Sequence, residues 1–116
     1  MSVQGHLGNG LHDAEILKIN EVQLSYDYHE KMPRCNYLEI ELNSANALFD
    51  HNVKAVRFYN YKIIEGNLNL IGTWWFDEQI ETKGSTFIVK IQFRSRNAIH
   101  KLMLRCLDYE LIKLIK

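Results

Sequence analysis

The sequence predicts a mainly β, single-domain protein, and three observations lead to that class. Apolar and polar residues alternate with a period of two over most of the chain, as in strands that are buried on one face. Short clusters of turn-forming residues separate the alternating segments, and hairpin turns of this kind join antiparallel strands. The chain has 116 residues and a single proline, which suits one domain over residues 1–116 and leaves no room for a second.

The first part of the chain is expected to hold a lead-in, a turn and a strand. Residues 1–10 contain three of the six glycines and read as a flexible lead-in. The segment Leu11-His12-Asp13-Ala14-Glu15-Ile16 is expected to form a turn, because Asp accepts hydrogen bonds from nearby backbone N–H groups. Residues 16–28 alternate in two phases, which predicts a strand with a β-bulge near Asn20 and Glu21.

Two strands and a loop are predicted in the middle of the chain. Residues 36–42 place three apolar side chains on one face and two glutamates on the other, and residues 53–64 alternate in the same way. Residues 43–52 read as a loop with Leu48 and Phe49 directed inward, and residues 65–67 read as a tight hairpin. In the first strand, one predicted face carries Leu38, Ile40 and Leu42, and the opposite face carries Glu39 and Glu41. In the second strand, one face carries Val56 and Phe58, and the opposite face carries Arg57, Tyr59 and Tyr61.

The long segment 68–82 carries two adjacent tryptophans, which must point to opposite faces of a strand. The alternation groups Trp74 with Leu70 and Phe76 and predicts that it is buried. Trp75 then falls on the outer face. The same segment also carries three acidic residues, Asp77, Glu78 and Glu81.

Residues 86–94 form the clearest strand in the sequence, with Phe87, Val89, Ile91 and Phe93 on one face. Residues 99–115 fit both a helical stripe and a bulged strand, and both alternatives stay open at this stage. Five or six antiparallel strands predict a β-sandwich or a strongly curved sheet.

Composition excludes several classes of function. Fourteen basic and fourteen acidic side chains give a formal net charge of zero, which argues against a general nucleic-acid binder. No apolar run is long enough to span a membrane, and no secretory signal is recognisable, so we expect a cytoplasmic protein. In that compartment Cys35 and Cys106 are expected to be reduced.

The sequence shows no catalytic motif, so we do not expect an enzyme. Five histidines are present, but none has the spacing of a known metal-ligand set, and no Gly-rich phosphate loop occurs. We therefore expect no metal and no other cofactor. The alternatives are an unrecognised enzyme or metal site near His12 and Asp13, and a small nucleic-acid-binding domain.

Aromatic side chains on the predicted outer faces suggest a surface that binds a protein partner, because Trp, Tyr and Arg are the usual anchors of interfaces. The alternative is a second core layer that covers the same side chains. The predicted apolar anchors are Trp75, Tyr59 and Tyr61, and the predicted charged contacts are Glu39, Glu41, Asp77, Glu78 and Glu81.

The motif at residues 11–16 and the strands LEIEL (38–42) and VRFYNYKII (56–64) carry a resemblance to a known group of proteins. They resemble the small bacterial immunity proteins of polymorphic-toxin and contact-dependent growth inhibition systems. This resemblance implies a cytoplasmic protein that binds and neutralises the C-terminal domain of a cognate toxin, for which a nuclease is one candidate. Separately, we expect no direct contact with nucleic acid or membrane, and a monomer or homodimer.

Charge is distributed unevenly along the chain despite the zero sum. Residues 38–42 and 77–81 are acidic, and residues 90–105 are basic. If the fold keeps these segments apart, the surface is polarised. Immunity proteins that cover a nuclease site are frequently acidic, so a neutral member is expected to use local acidic patches or to bind away from the active site.

Overall fold

The computed structural model describes residues 11–23, 26–29, 31–33, 36–45, 47 and 52–114, and the predicted lead-in over residues 1–10 lies outside them. This described part is built from strands and turns, without a helix. The strands are β1 (Glu15–Gln23), β2 (Tyr26–Asp27), β3 (Met32–Pro33), β4 (Asn36–Asn43), β5 (Val53–Tyr59), β6 (Lys62–Glu65), β7 (Trp74–Lys83), β8 (Thr86–Arg94), β9 (Ile99–Cys106) and β10 (Asp108–Lys113).

Eight of these strands form one antiparallel sheet, in the order β10-β5-β4-β1-β7-β8-β9-β6, and β2 and β3 form a separate two-stranded ribbon. The predicted mainly β, antiparallel class is therefore confirmed. A β-sandwich, which needs two packed sheets, is not what the described residues form.

The sheet has more strands than predicted because two of the predicted segments are each interrupted once. Residues 53–64 divide into β5 and β6 at Asn60, whose φ of 52° takes the backbone out of the extended region. The C-terminal segment is extended, and it divides into β9 and β10 at Leu107. Because β5 pairs with β10 and β6 pairs with β9, the two interrupted segments lie side by side along their length.

One hydrophobic core receives side chains from both halves of the strand order. Ile16 of β1, Ile40 of β4 and Phe58 of β5 are buried in the same cluster as Ile91 of β8 and Leu104 of β9. No helix or second large sheet covers this face in the described residues, so the sheet bends around its own apolar side chains. That arrangement lets one layer of strands shield a core from water.

The predicted strands with unbroken alternation agree best with the structure. β8 buries Val89, Ile91 and Phe93, and β4 buries Leu38 and Ile40, as expected. Leu48 and Phe49 of the predicted loop lie outside the described residues.

Two local predictions are wrong. The bulge in β1 falls at Leu17, where the pairing with β4 shifts between Ile16 and Lys18, and not near Asn20 and Glu21. The turn at residues 65–67 does not join two paired strands, since β6 pairs with β9. Gly66 is needed there because its φ is 95° and a Cβ atom would lie 2.3 Å from the Lys101 carbonyl oxygen.

Candidate functional site

A β-bulge in β7 decides which tryptophan is exposed. Trp75 pairs with Phe93 and Asp77 pairs with Gln92, so Phe76 is an extra residue that reverses the alternation. Gly72, with a φ of 89°, breaks the phase a second time by turning the chain before β7 begins. Trp75 is therefore fully buried and Trp74 is 42% exposed. The predicted placement of the two side chains is wrong because the alternation was carried across both irregularities.

Trp75 and Glu78 form a buried pair on the inner face of β7. The Trp75 indole N–H donates a hydrogen bond of 2.6 Å to Glu78 Oε1, and the Trp75 ring packs edge-on against Phe93 at 5.5 Å. Glu78 is only 2% exposed. Both residues were predicted as partner contacts, and this is corrected, because a side chain that is buried in the core cannot anchor a partner at the surface.

The Leu-His-Asp-Ala motif closes the junction between β1 and β7. His12 Nδ1 donates to the Phe76 carbonyl oxygen at 2.7 Å, so Nδ1 must carry the ring proton. The Asp13 amide donates to the Trp75 carbonyl oxygen at 2.7 Å, and the Trp75 amide donates to the Ala14 carbonyl oxygen at 2.8 Å. The motif is a turn, as expected, but it bonds to a distant strand at the β7 bulge.

A network of polar side chains covers the outer face of β4, β5 and β10. Arg57 Nε donates to Glu39 at 2.6 Å, and its guanidinium lies 4.7 Å from the centre of the Tyr37 ring. Tyr59 donates its hydroxyl to Glu110 at 2.6 Å. Hydrogen bonds with Tyr59 and Glu39 raise the pKa of Arg57, and burial together with the bond to Glu110 raises the pKa of Tyr59.

Of the other predicted contacts, Glu41 shares the face of Tyr59, where it lines one groove with Glu39 and Arg57, and the rest lie elsewhere. Tyr61 packs against the core and donates its hydroxyl to Glu21; burial and this bond raise its pKa. Glu41 accepts a hydrogen bond of 3.0 Å from Asn20. Asp77 and Glu81 are exposed on the outer face of β7, where Glu81 lies 3.5 Å from Lys90. The predicted set is thus spread over several places.

An exposed aromatic and cationic surface lies where β7, β8 and β9 run side by side. Trp74 pairs with Arg94, and Arg94 pairs with Ile99, so the three side chains form a row across the outer face. Ile99 is 49% exposed. We call the set Trp74, Phe76, Arg94, Arg96 and Ile99 the Trp74 patch.

The tight turn between β8 and β9 holds the arginines of this patch. The Ser95 amide donates to the Ala98 carbonyl oxygen at 2.9 Å, and the Ser95 hydroxyl lies 3.1 Å from His100 Nε2. Arg94 lies over the Phe76 ring at 5.7 Å, in the range of a cation–π contact. A surface groove of about 540 Å³ runs along the turn and is lined by Phe76, Arg94, Ile99 and the residues between the two strands.

The arginines of the Trp74 patch lack the side-chain partners that the predicted acidic contacts have. Glu39, Glu41 and Glu81 each contact a polar or basic side chain within the described residues. Arg94 and Arg96 have no carboxylate within ion-pair distance in the same part of the chain. The charges of the Trp74 patch itself are therefore positive, and Asp77 is an exposed acid beside it.

Sequence reasoning missed this patch for a definite reason. Alternation in β8 correctly places Arg94 on the outer face, but its neighbours on β7 and β9 depend on strand register. Only the pairing of Trp74 with Arg94 reveals that an exposed tryptophan and an arginine are adjacent.

No group of three or more His, Cys, Asp or Glu side chains in the described ranges is arranged to hold a metal ion. Cys106 is a free, buried thiol, while Cys35 lies outside the described residues. Within those residues, no helix is long and apolar enough to cross a membrane.

No protein-family model, curated protein or solved structure matches this chain.

Proposed function

We propose that the chain is a non-catalytic binding protein, specifically an immunity protein that binds and neutralises the C-terminal domain of a cognate bacterial toxin in the cytoplasm. The observation that carries the proposal is the Trp74 patch. Trp and Arg are the residues most enriched among interface anchors, and tightly packed anchors dominate binding energy. An exposed tryptophan beside an arginine on a sheet supplies both.

The rigidity of the patch supports the same function. Trp74 and Arg94 lie on paired strands, and the turn that follows Arg94 is held by Ser95. A surface that is ordered before binding loses less conformational entropy on association. Tight inhibition of a toxin requires such a surface more than it requires a large one.

The face that carries Tyr59 and Glu39 is a second candidate contact surface. Its aromatic and charged groups are of the right kind, but they are already bonded to Arg57 and Glu110. A partner must then either accept the network as it stands or break it. We expect Tyr59→Ala to weaken binding less than Trp74→Ala does.

An enzyme centred on His12 and Asp13 is the competing hypothesis. His12 already donates to the Phe76 carbonyl oxygen, and the Asp13 backbone is tied to Trp75. These bonds give both residues a role in holding β1 against β7, which supports a structural function for the motif.

The test is co-expression with the C-terminal domain of the protein encoded immediately upstream. We expect restored growth and a complex on a sizing column. Trp74→Ala should weaken binding by about 2 kcal/mol, or roughly 30-fold. The matched control is Leu107→Ala, an exposed apolar residue (48%) that lies about 26 Å further along the chain than Ile99 at the rise of a strand. Absence of both growth rescue and a complex would overturn the proposal.

A further inference from the structure

We infer that the Trp74 patch docks an acidic segment of the partner protein, in which carboxylates contact Arg94 and Arg96 while an apolar side chain packs on Trp74 and Ile99. This assignment deepens the proposed function, on which it rests, by naming the partner's chemistry. It also reverses the expectation that acidic residues of this chain make the main contacts.

The charge that remains available on the Trp74 patch is positive. Arg94 and Arg96 flank the turn after β8 and lack a carboxylate partner within the described residues. Lys101 pairs across the sheet with Gln92 and adds a third exposed cation. Asp77, which pairs with Gln92 from the other side, is the acid in this part of the face. The local charge is therefore positive although the whole chain is neutral.

The shape of the patch suits a carboxylate beside an apolar side chain. Arginine presents a planar set of N–H donors that matches a carboxylate at two points. The groove of about 540 Å³ has Arg94 and Arg96 among its lining residues and is bordered by Phe76 and Ile99. A carboxylate of the partner can bind between Arg94 and Arg96, while an apolar side chain of the partner packs on Phe76 or Ile99. The cationic and the apolar parts of the patch are then both used.

Single-stranded nucleic acid also binds cationic and aromatic surfaces, but the arrangement of the cations here favours a protein. Nucleic acid requires a cationic track that follows several phosphates. Further along the same face, Lys90 is paired with Glu81, so the exposed cations do not form an unbroken track from Arg94 to Arg105 on β9. A short acidic segment fits that distribution better than a polyphosphate chain.

The position of the charge has a bearing on the target. A toxin that is covered by this patch is contacted on an acidic surface. For a nuclease, such a surface lies away from the basic nucleic-acid cleft. Inhibition would then not depend on mimicry of nucleic acid in the active site.

The experiment uses the free protein and three probes: a peptide of alternating Glu and Leu, the matched peptide of alternating Lys and Leu, and a ten-nucleotide oligo-dT. Binding is followed by the fluorescence of Trp74, with Trp74→Phe to identify the signal because Trp75 is buried. We expect saturable binding of the Glu-Leu peptide only. Arg94→Glu and Arg96→Glu should each weaken binding of this peptide by about tenfold or more, since an attraction between charges becomes a repulsion. The control is Arg105→Glu, on β9 at the far end of the sheet face, which should change the affinity less than twofold.

Three results would overturn the inference: no saturable response to the Glu-Leu peptide, equal affinity in Arg94→Glu, or tighter binding of oligo-dT that weakens steeply with salt. Because these measurements need no toxin, they are separable from the co-expression test. Growth rescue with a negative peptide result removes the partner chemistry alone, whereas peptide binding without rescue removes the immunity function and leaves the acidic docking surface.

Discussion

Trp74 and Trp75 are neighbours in the chain, but they differ in what they do for the molecule. Trp75 is fully buried, packs against Phe93 and donates to Glu78. Trp74 is half-exposed on the outer face beside Arg94. At the scale of single residues, one therefore serves stability and the other is available for recognition.

The first prediction follows from this difference. Trp75→Ala should lower the free energy of unfolding by about 3–5 kcal/mol, because it leaves a large cavity in the core. Trp74→Ala should change it by about 0.5 kcal/mol or less, as is usual for exposed positions. Urea denaturation measures both, and a larger loss for Trp74→Ala than for Trp75→Ala would contradict the assigned burial.

The second prediction concerns the hydrogen bond between Trp75 and Glu78. Trp75→Phe keeps much of the ring volume but removes the N–H donor that lies 2.6 Å from the carboxylate. Removing one partner of a buried hydrogen bond, so that the other is left unsatisfied, costs about 1–3 kcal/mol. In a double-mutant cycle with Glu78→Met, we expect a coupling of at least about 0.5 kcal/mol between the two positions. Additive effects of the two changes would show that the bond contributes nothing to stability.

At the scale of elements, the contact between β1 and β7 is short and depends on the Leu-His-Asp-Ala turn. The two strands share one residue pair, Glu15 with Trp74, and the turn adds the His12 side-chain bond and the backbone bonds of Asp13 and Ala14. Ile16 also exchanges backbone hydrogen bonds with Thr73 and Gly72 just before β7, so residues 13–16 carry the contact between the two strands.

The third prediction is made for this junction. His12→Ala removes the bond to the Phe76 carbonyl oxygen and should cost about 1 kcal/mol, with faster hydrogen exchange at the Asp13 and Trp75 amides. Asp13 has a φ of 75°, in the left-handed region that Asn and Gly tolerate. Asp13→Asn should therefore be nearly neutral, while Asp13→Val should cost about 1–2 kcal/mol. Equal stability of the Asn and Val variants would refute the conformational argument.

At the scale of the whole molecule, the core and its border contain several groups that fold in the neutral form. Burial raises the pKa of Cys106 from an ordinary value of 9.0 to about 12. Burial also raises the pKa values of Tyr61 and Tyr109. Each of these groups keeps its proton in the folded state at pH values where the unfolded chain has lost it.

The fourth prediction is a loss of stability in alkali. For a group with a raised pKa, folding stability is constant below the unfolded pKa and falls as the pH rises toward the folded pKa. The Cys106 contribution should thus decline between about pH 9 and pH 12. Urea titrations across this interval measure the decline, and Cys106→Ala should make it shallower although the variant is less stable overall. A constant free energy of unfolding over the interval would contradict the prediction.

How far the sequence predicts the fold depends on whether alternation is interrupted. β8 and β4 are unbroken, and their buried faces follow directly from the order of the residues. In β7 the extra residue at Phe76 reverses the faces, and at Asn60 a positive φ separates Tyr59 from Tyr61. A bulge leaves little trace in the local sequence, because it is decided by how two strands pair.

The candidate site was predicted less well than the fold, for a related reason. Asp77 and Glu81 lie on the outer face as expected, but Glu78 is buried and the exposed tryptophan is Trp74. The free cations of the Trp74 patch could not be recognised from the chain, because pairing of one charge with another occurs between strands that are distant in sequence.

Alternation and turn residues are enough to predict an antiparallel, mainly β protein, because they act locally along the chain, and composition alone gives the zero net charge. Three features are visible only in the folded sheet: strands from both halves of the order share one core, Trp75 rather than Trp74 is buried, and Arg94 lies beside an exposed tryptophan. These features depend on register and bulges, which are fixed when distant strands pair and bury their apolar faces together. The neutral chain thereby presents a locally positive surface, on which the proposed function depends.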